Sequence, residues 1–273
     1  MSSSFEGWKR PVKVTIVQNE VRLHEPGVTF DRTMDICDEA ISAERPDLIV
    51  LPESFVSGFP YDDVPGSAEI SLAMLPRIAL KARSAGASFL FSLPIAQEGK
   101  VFNRSFWIDA EGKVRGTYDK THLFSRSGED RHFSRGEGLR IFVVHGIPLG
   151  VLTCYEMRYP ELARALAISG AGAIAYLAEW PAARVHQWDA MLRSRAIENQ
   201  LYTIGANICG THGDTAIGGR SAIVEPYGST LASLDSSEGF CTATIDRERI
   251  VRFREGIPQE SDRRGPGIVS IIS

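Results

Sequence analysis

A thiol and a carboxylate stand where apolar runs end in this 273-residue chain and an ammonium where a predicted strand ends, and together such groups can cleave a carbonyl compound. The most informative segment is Gly150-Val-Leu-Thr-Cys154-Tyr-Glu-Met-Arg-Tyr-Pro-Glu161, which delivers a cysteine to a turn just before a helix. Unpaired N–H groups and the positive end of the helix dipole would favour a thiolate there, lowering a pKa that is ~8.5 in free cysteine, and could hold an oxyanion. A buried cysteine acting as a small hydrophobe is the other reading of this segment.

Asp47-Leu-Ile-Val-Leu-Pro-Glu53 is an apolar run that ends in a carboxylate, at the kind of strand end where α/β sites form. Partial desolvation would raise the Glu53 pKa and make it a general base at neutral pH; a helix cap or a surface charge is the alternative. Lys120, in Tyr118-Asp-Lys-Thr-His-Leu-Phe124, also ends a predicted strand, where the plain reading is a solvated hairpin lysine. His122 beside it is expected to make a structural hydrogen bond, with tuning of the site as the other reading.

Taken together and in this order, Glu53, Lys120 and Cys154 resemble the Glu-Lys-Cys triad of the nitrilase superfamily of carbon-nitrogen hydrolases, and the resemblance covers nearly the whole chain. It is carried by Leu-Pro-Glu-Ser-Phe around Glu53, Tyr-Asp-Lys-Thr-His-Leu-Phe around Lys120 and Cys-Tyr-Glu-Met-Arg-Tyr-Pro-Glu around Cys154. The stretch Trp180-Pro-Ala-Ala-Arg184, followed by Trp188 and Arg193-Ser-Arg-Ala-Ile-Glu-Asn-Gln200, resembles the ω-amidase-like branch found in bacteria. Two departures stand out. Glu156 occupies a place where the family usually has Asp, and Arg220, in Gly218-Gly-Arg-Ser221, replaces a more common small or polar residue, a change that bears on pocket shape or a loop contact.

The resemblance implies a four-layer αββα sandwich with mixed sheets, a site above the sheet, and a helix-mediated homodimer as the smallest assembly. It also implies a second glutamate after the lysine, which Glu129 in Ser127-Gly-Glu-Asp130 matches, as a helper that orients Lys120 and the substrate. On this expectation Glu53 takes the thiol proton, a thioester forms on Cys154, and the Tyr155 backbone N–H and the Lys120 ammonium hold the oxyanion. The implied substrate is the terminal amide of a short dicarboxylate such as 2-oxoglutaramate or succinamate. Its far carboxylate needs a cation, for which Arg184, with Trp180 nearby, is the candidate; a surface arginine opening a helix is the other reading. Hydrolysis of an N-carbamoyl amino acid or of a nitrile on the same triad, and a noncatalytic binding role, are the alternatives. Cys-Tyr-Glu-Met-Arg is nearer the amidase pattern than the Cys-Trp-Glu of nitrilases.

The elements that must position these residues alternate. Val12 to Gln18 reads as a strand, and Phe30, Met34, Cys37 and Ile41 recur at helical spacing. Ile70, Met74 and Ile78 mark a second helix before the strand Ser88 to Leu93. Val101 to Asp109 and Val114 to Tyr118 flank a polar glycine turn as a hairpin, so the sheet is mixed. Leu139 to Val144, Ile147 to Thr153 and Ala173 to Leu177 are strands, with a helix starting near Arg158. Val185, Trp188, Leu192 and Ala196 describe a long amphipathic helix. Tyr202 to Asn207, Ser221 to Val224, Thr230 to Leu234 and Phe240 to Ile245 close the chain as strands, the middle pair joined at Glu225-Pro-Tyr-Gly228. No repeat or linker-like stretch divides the chain, which is expected to be one domain over residues 1–273.

A formal net charge of −4 gives no basic field for nucleic acid, which leaves a small molecule as the expected partner. Met1 to Pro11 lacks the apolar run of a signal peptide, and no stretch of ~18 apolar residues suggests a membrane span, so a cytoplasmic protein is expected. Cys37, Cys154, Cys209 and Cys241 are sparse and lack zinc-site spacing, which points to reduced thiols. Gly170 to Ala175 fits a loose dinucleotide pattern in the wrong structural order, the histidines are scattered, and no P-loop, HExxH or GxSxG occurs. Neither metal nor cofactor is expected, and the sequon Asn103-Arg-Ser105 reads as a chance match.

Overall fold

A computed structural model describes residues 5–264; residues 1–4 and 265–273, and with them part of the Met1–Pro11 stretch and both ends of the expected 1–273 domain, lie outside it. The first half runs β1 (Val12–Gln18), α1 (Pro26–Glu44), β2 (Leu48–Val50), α2 (Val64–Ala85), β3 (Ser88–Gln97), β4 (Lys100–Ile108) and β5 (Val114–Asp119). The second half begins with the one-turn helix α3 (Glu129–His132) and continues through β6 (Ile141–Val144), β7 (Ile147–Thr153), α4 (Pro160–Ile168), β8 (Ala173–Ala178), α5 (Val185–Asn199) and β9 (Tyr202–Asn207). The short hairpin β10 (Cys209–His212) and β11 (Thr215–Gly218) follows, then β12 (Ala222–Val224), β13 (Thr230–Ser233), β14 (Gly239–Ile245), α6 (Arg247–Gly256) and α7 (Gln259–Asp262).

Two six-stranded mixed sheets result, in the orders β14-β1-β2-β3-β4-β5 and β13-β12-β9-β8-β7-β6. β1, β2 and β3 are parallel, as are β7, β8 and β9, while the flanking strands are antiparallel. Alternation along each strand sorts the side chains. Leu48, Val50 and Leu90 meet Leu149, Val151 and Leu177 between the sheets, whereas Ile49, Phe89 and Phe91 pack outward on Phe30, Ile36 and Ile78 of α1 and α2. On the other outer face Leu152, Ile174 and Tyr176 pack on Leu166, Trp188 and Leu192 of α4 and α5. These three apolar layers make the αββα sandwich, and strands buried on both faces explain the near-continuous apolar runs in the sequence.

The inner face of α2 differs from the expected stripe. Ile70 is on the solvent side, and Ser67, Ala68, Ser71, Ile78 and Ala82 face the sheet, because short side chains let the helix lie close to it. The β10–β11 hairpin was not expected either, since Cys209-Gly-Thr-His and Thr215-Ala-Ile-Gly carry too few apolar residues to show a period. Among the described residues no helix is long and apolar enough to cross a membrane.

Candidate active site

The parallel strands of both sheets, together with β5, deliver their following residues to one rim, where Glu53, Lys120, Cys154 and Glu179 each come one to three residues after a strand ends. After β2, Leu51 N–H still donates to Leu90 O at 2.8 Å, which carries the chain in sheet geometry up to Pro52. The turn that follows uses left-handed backbone at Ser54 (φ +45°) and Gly58 (φ +58°), and Ser54 N–H is anchored on Ser92 Oγ at 3.0 Å. Glu53 is thereby held at the rim with its side chain 1% exposed.

Lys120 extends the β4–β5 ladder, its N–H donating to Asn103 O at 3.0 Å. Its side chain is 2% exposed, so it is not a solvated hairpin lysine. The ammonium donates to Glu53 Oε1 at 2.9 Å and to both oxygens of Glu129, at 2.8 and 2.9 Å. Glu129 opens α3, and its Oε2 accepts the Phe124 N–H at 2.6 Å, which fixes the carboxylate over Lys120. Asn103 Nδ2 completes the cluster with a 2.8 Å bond to Glu53 Oε1 and a longer one, 3.4 Å, to Glu129 Oε1.

Cys154 follows β7 with φ +46°, a left-handed conformation that costs a non-glycine residue of order 1–3 kcal/mol and that surrounding structure must hold. Part of that hold comes from Glu156, which is fully buried and whose Oε2 accepts the Thr153 N–H at 2.7 Å. The thiol donates weakly to Glu179 O at 3.6 Å, and the N–H of the same Glu179 donates to Glu53 Oε2 at 3.0 Å. One peptide segment after β8 thus touches both the thiol and the carboxylate.

Two carboxylates surround one ammonium beside a half-buried thiol, and burial and charge together set the protonation states. Burial drives the Glu53 carboxyl above its ordinary value; Lys120 opposes this and Glu129 adds to it. Burial alone would lower Lys120, but Glu129 and Glu53 outweigh it and hold the ammonium well above its usual range. Burial, then Glu53, pushes the Cys154 thiol well up, and Lys120 offsets only part of this. The expected thiolate is therefore corrected to a resting thiol. The physical reason is local: Cys154–Arg158 is a 3-10 turn, α4 starts only at Pro160, and the nearby charge is net negative.

The cluster lies at the buried end of a cleft of about 720 Å³. Tyr155 lines it and packs against Phe124, ring centroids 4.9 Å apart. Trp180 and Arg184 are both on its wall, joined by a 2.9 Å bond from Trp180 Nε1 to Arg184 O. Arg126 and Arg158 add two further guanidinium groups to the lining; that of Arg158 sits 4.7 Å over the Trp180 ring. Arg220 is elsewhere: it pairs with Asp189 on the surface and its carbonyl accepts the Trp188 indole N–H, so that departure is a loop contact. His122 makes the expected structural contact, with Thr121 Oγ1 at 2.8 Å. Among the described residues no cluster of three or more His, Cys, Asp and Glu side chains is placed to hold a metal ion.

Asn103, Glu179, Arg126 and Arg158 were not read from the sequence as site residues. Asn103 carried a signal all the same, since it sits in a strand at a fully buried position, where an amide side chain needs partners. The burial also leaves the sequon without meaning. Glu179 carried none, because its backbone rather than its side chain meets the thiol.

The carbon-nitrogen hydrolase family profile matches residues 13–255. The chain is 32% identical to a 2-oxoglutaramate amidase of Paenarthrobacter nicotinovorans, over 90% of this chain and 87% of that protein. It is 33% identical to the omega-amidase YafV of Escherichia coli K12, over 85% of this chain and 88% of that one. Its structure resembles that of Saccharomyces cerevisiae Nit3, a member of branch 10 of the nitrilase superfamily, with a TM-score of 0.88 at 26% identity over 95% and 99% of the two chains.

Proposed function

We propose, since this chain belongs to the carbon-nitrogen hydrolase family and is an amidase of it, that it releases ammonia from the terminal amide of a short dicarboxylate monoamide, 2-oxoglutaramate first among them. The observation that carries the chemistry is the Lys120 ammonium, locked between the buried carboxylates of Glu53 and Glu129 at the end of the cleft that also contains the Cys154 thiol.

An amide carbonyl is a poor electrophile, so the site must supply a strong nucleophile and stabilise charge developing on oxygen. Glu53, with its raised pKa, takes the thiol proton as Cys154 sulfur attacks the carbonyl carbon. The tetrahedral oxyanion is held by the Lys120 ammonium and the Tyr155 backbone N–H. Glu53 then passes its proton to the amide nitrogen, the C–N bond breaks, ammonia leaves, and an acyl thioester remains on Cys154. Water attacks the thioester while Glu53 takes its proton; the C–S bond breaks, the acid departs, and Glu53 returns that proton to the sulfur, restoring the thiol. Glu129 keeps Lys120 in place through both halves. A resting thiol fits this order, because the proton moves only when a carbonyl is present to receive the sulfur.

In this reading the far carboxylate of the substrate pairs with Arg184, with Trp180 beside its chain, which their shared position on the cleft wall supports. The same reading takes the chain as one catalytic domain acting in the cytoplasm, and the resemblance supports a homodimer, which light scattering would read. The test of function is ammonia release from 2-oxoglutaramate, glutaramate, succinamate, an N-carbamoyl amino acid and a simple nitrile, with Cys154→Ala as control. Release confined to the dicarboxylate monoamides and lost in Cys154→Ala is the expected result. Turnover only of another compound would overturn the substrate, and an active Cys154→Ala protein would overturn the mechanism.

A further inference from the structure

We infer that His212, on the β10–β11 hairpin, is a positioning residue that holds the Glu179 segment so that its two backbone groups serve Glu53 and Cys154. The inference rests on reading those two residues as base and nucleophile.

Glu179 has an unusual load for one residue: its N–H bonds Glu53 Oε2 at 3.0 Å and its C=O accepts the thiol at 3.6 Å. A shift or rotation of this peptide would disturb both groups together. Glu179 follows β8 directly, and the following Trp180 N–H is tied to Asn207 Oδ1 at 2.6 Å, so the segment is anchored on its far side. On the near side, the Glu179 side chain meets His212 Nδ1, and both residues line the cleft. An ionised carboxylate only accepts, which places the proton on Nδ1.

His212 is itself wedged. Its side chain is 9% exposed, and its ring lies so close to Gly58 that a Cβ on that glycine would stand 2.6 Å from His212 Cε1. Gly58 belongs to the turn that begins at Glu53. The imidazole thus fills the space between the loop carrying the base and the segment carrying the thiol's acceptor, bonded to one and packed on the other. Among the described residues the second oxygen of Glu179 is buried without a partner and His212 is the only side chain bonded to that carboxylate. Loss of the imidazole would remove that bond and free the carboxylate to move within the cleft, taking its backbone with it.

The experiment compares His212→Leu, which fills the space but cannot donate, with His212→Asn, whose amide nitrogen takes the place of Nδ1. Each is measured for kcat and KM on succinamate, for the rate of Cys154 alkylation by iodoacetamide, and for urea midpoint. His212→Leu is expected to lower kcat by about 10- to 100-fold with KM within about twofold, the size that a small misplacement of reacting groups produces. Alkylation should change with it, and His212→Asn should recover most of the loss. Combined with Glu179→Ala, His212→Leu should cost no more than Glu179→Ala alone, since both break one link.

A kcat within twofold of the wild type in His212→Leu, no advantage of Asn over Leu, or multiplying losses in the double variant would each overturn the inference. Should His212→Leu fail to fold, the same contrast is read between Glu179→Gln, which keeps an acceptor for the imidazole, and Glu179→Leu, which does not. If the wild type hydrolyses none of the amides, the functional reading fails, while His212-dependent alkylation of Cys154 still decides the positioning role.

Discussion

Glu156 Oε1 accepts both the N–H and the hydroxyl of Thr121, each at 2.7 Å, while its other oxygen takes the Thr153 N–H. Tyr118 OH at 2.6 Å and the His122 N–H at 3.1 Å bond the same Oε1. One buried carboxylate therefore clamps the residues flanking Lys120 to the residue preceding Cys154. The Glu156 side chain thus spans the two segments that carry the ammonium and the thiol.

Glu156→Gln replaces one of those acceptor oxygens with a donor amide, which must face either the Thr153 N–H or the Thr121 cluster. Because Glu156 is fully buried, stability should fall by about 2–3 kcal/mol. Urea unfolding at neutral pH reads this directly; a midpoint unchanged from the wild type would show that the clamp contributes little.

Lys120→Met leaves the Glu53 and Glu129 carboxylates buried without their counter-ion. Breaking a buried pair in this way should cost about 3–5 kcal/mol near pH 7. The sign of the pH dependence follows from Glu53. Its folded pKa is already raised, and loss of Lys120 raises it further, so its contribution to stability is present at low pH and lost as pH rises through the folded pKa. The deficit of the variant against the wild type should thus shrink on going from neutral to mildly acidic pH. A deficit that grew on acidification would contradict the charge assignment.

The acid limb of kcat/KM should lie above the ordinary glutamate value of ~4.3, because Glu53 must be ionised to accept the thiol proton. Asn103→Asp sharpens the test. It puts a third carboxylate where Nδ2 now bonds Glu53 at 2.8 Å, and like charge at that range should move the limb up by about one unit or more. An unmoved limb would mean that another group controls it.

Alkylation of Cys154 by iodoacetamide should climb with pH beyond ~8.5, with no plateau between about pH 6 and 8, because the resting sulfur is a thiol held above its usual pKa. A flat profile across that neutral range would reveal a thiolate and reverse the order of proton transfer given above.

Arg184→Ala should raise KM for succinamate by about 10-fold or more while leaving turnover of propionamide, which has no far carboxylate, little changed. Equal effects on both amides would remove Arg184 from substrate recognition and direct attention to Arg126 or Arg158, the other arginines of the cleft.

Much of this molecule was legible from local pattern. Strands buried on both faces read as apolar runs, and the helices α1 and α5 showed their period because one face of each meets a sheet. Glu53 and Cys154 were legible because each ends such a run, whereas Lys120 ends the largely exposed strand β5 and, like Glu129, was legible only from the place the resemblance assigns. What distance along the chain hides was decided only by the tertiary structure. That Asn103 braces two carboxylates, that the Glu179 peptide serves both base and thiol, and that His212 from a weakly patterned hairpin meets Glu179 all depend on how two sheets bring separate strand ends to one rim. The state of Cys154 shows the physical reason most directly. Its local sequence promises a helix dipole and a thiolate, but a pKa answers to burial and to every nearby charge, and those come from residues about 25 to 100 positions away that only folding places beside it.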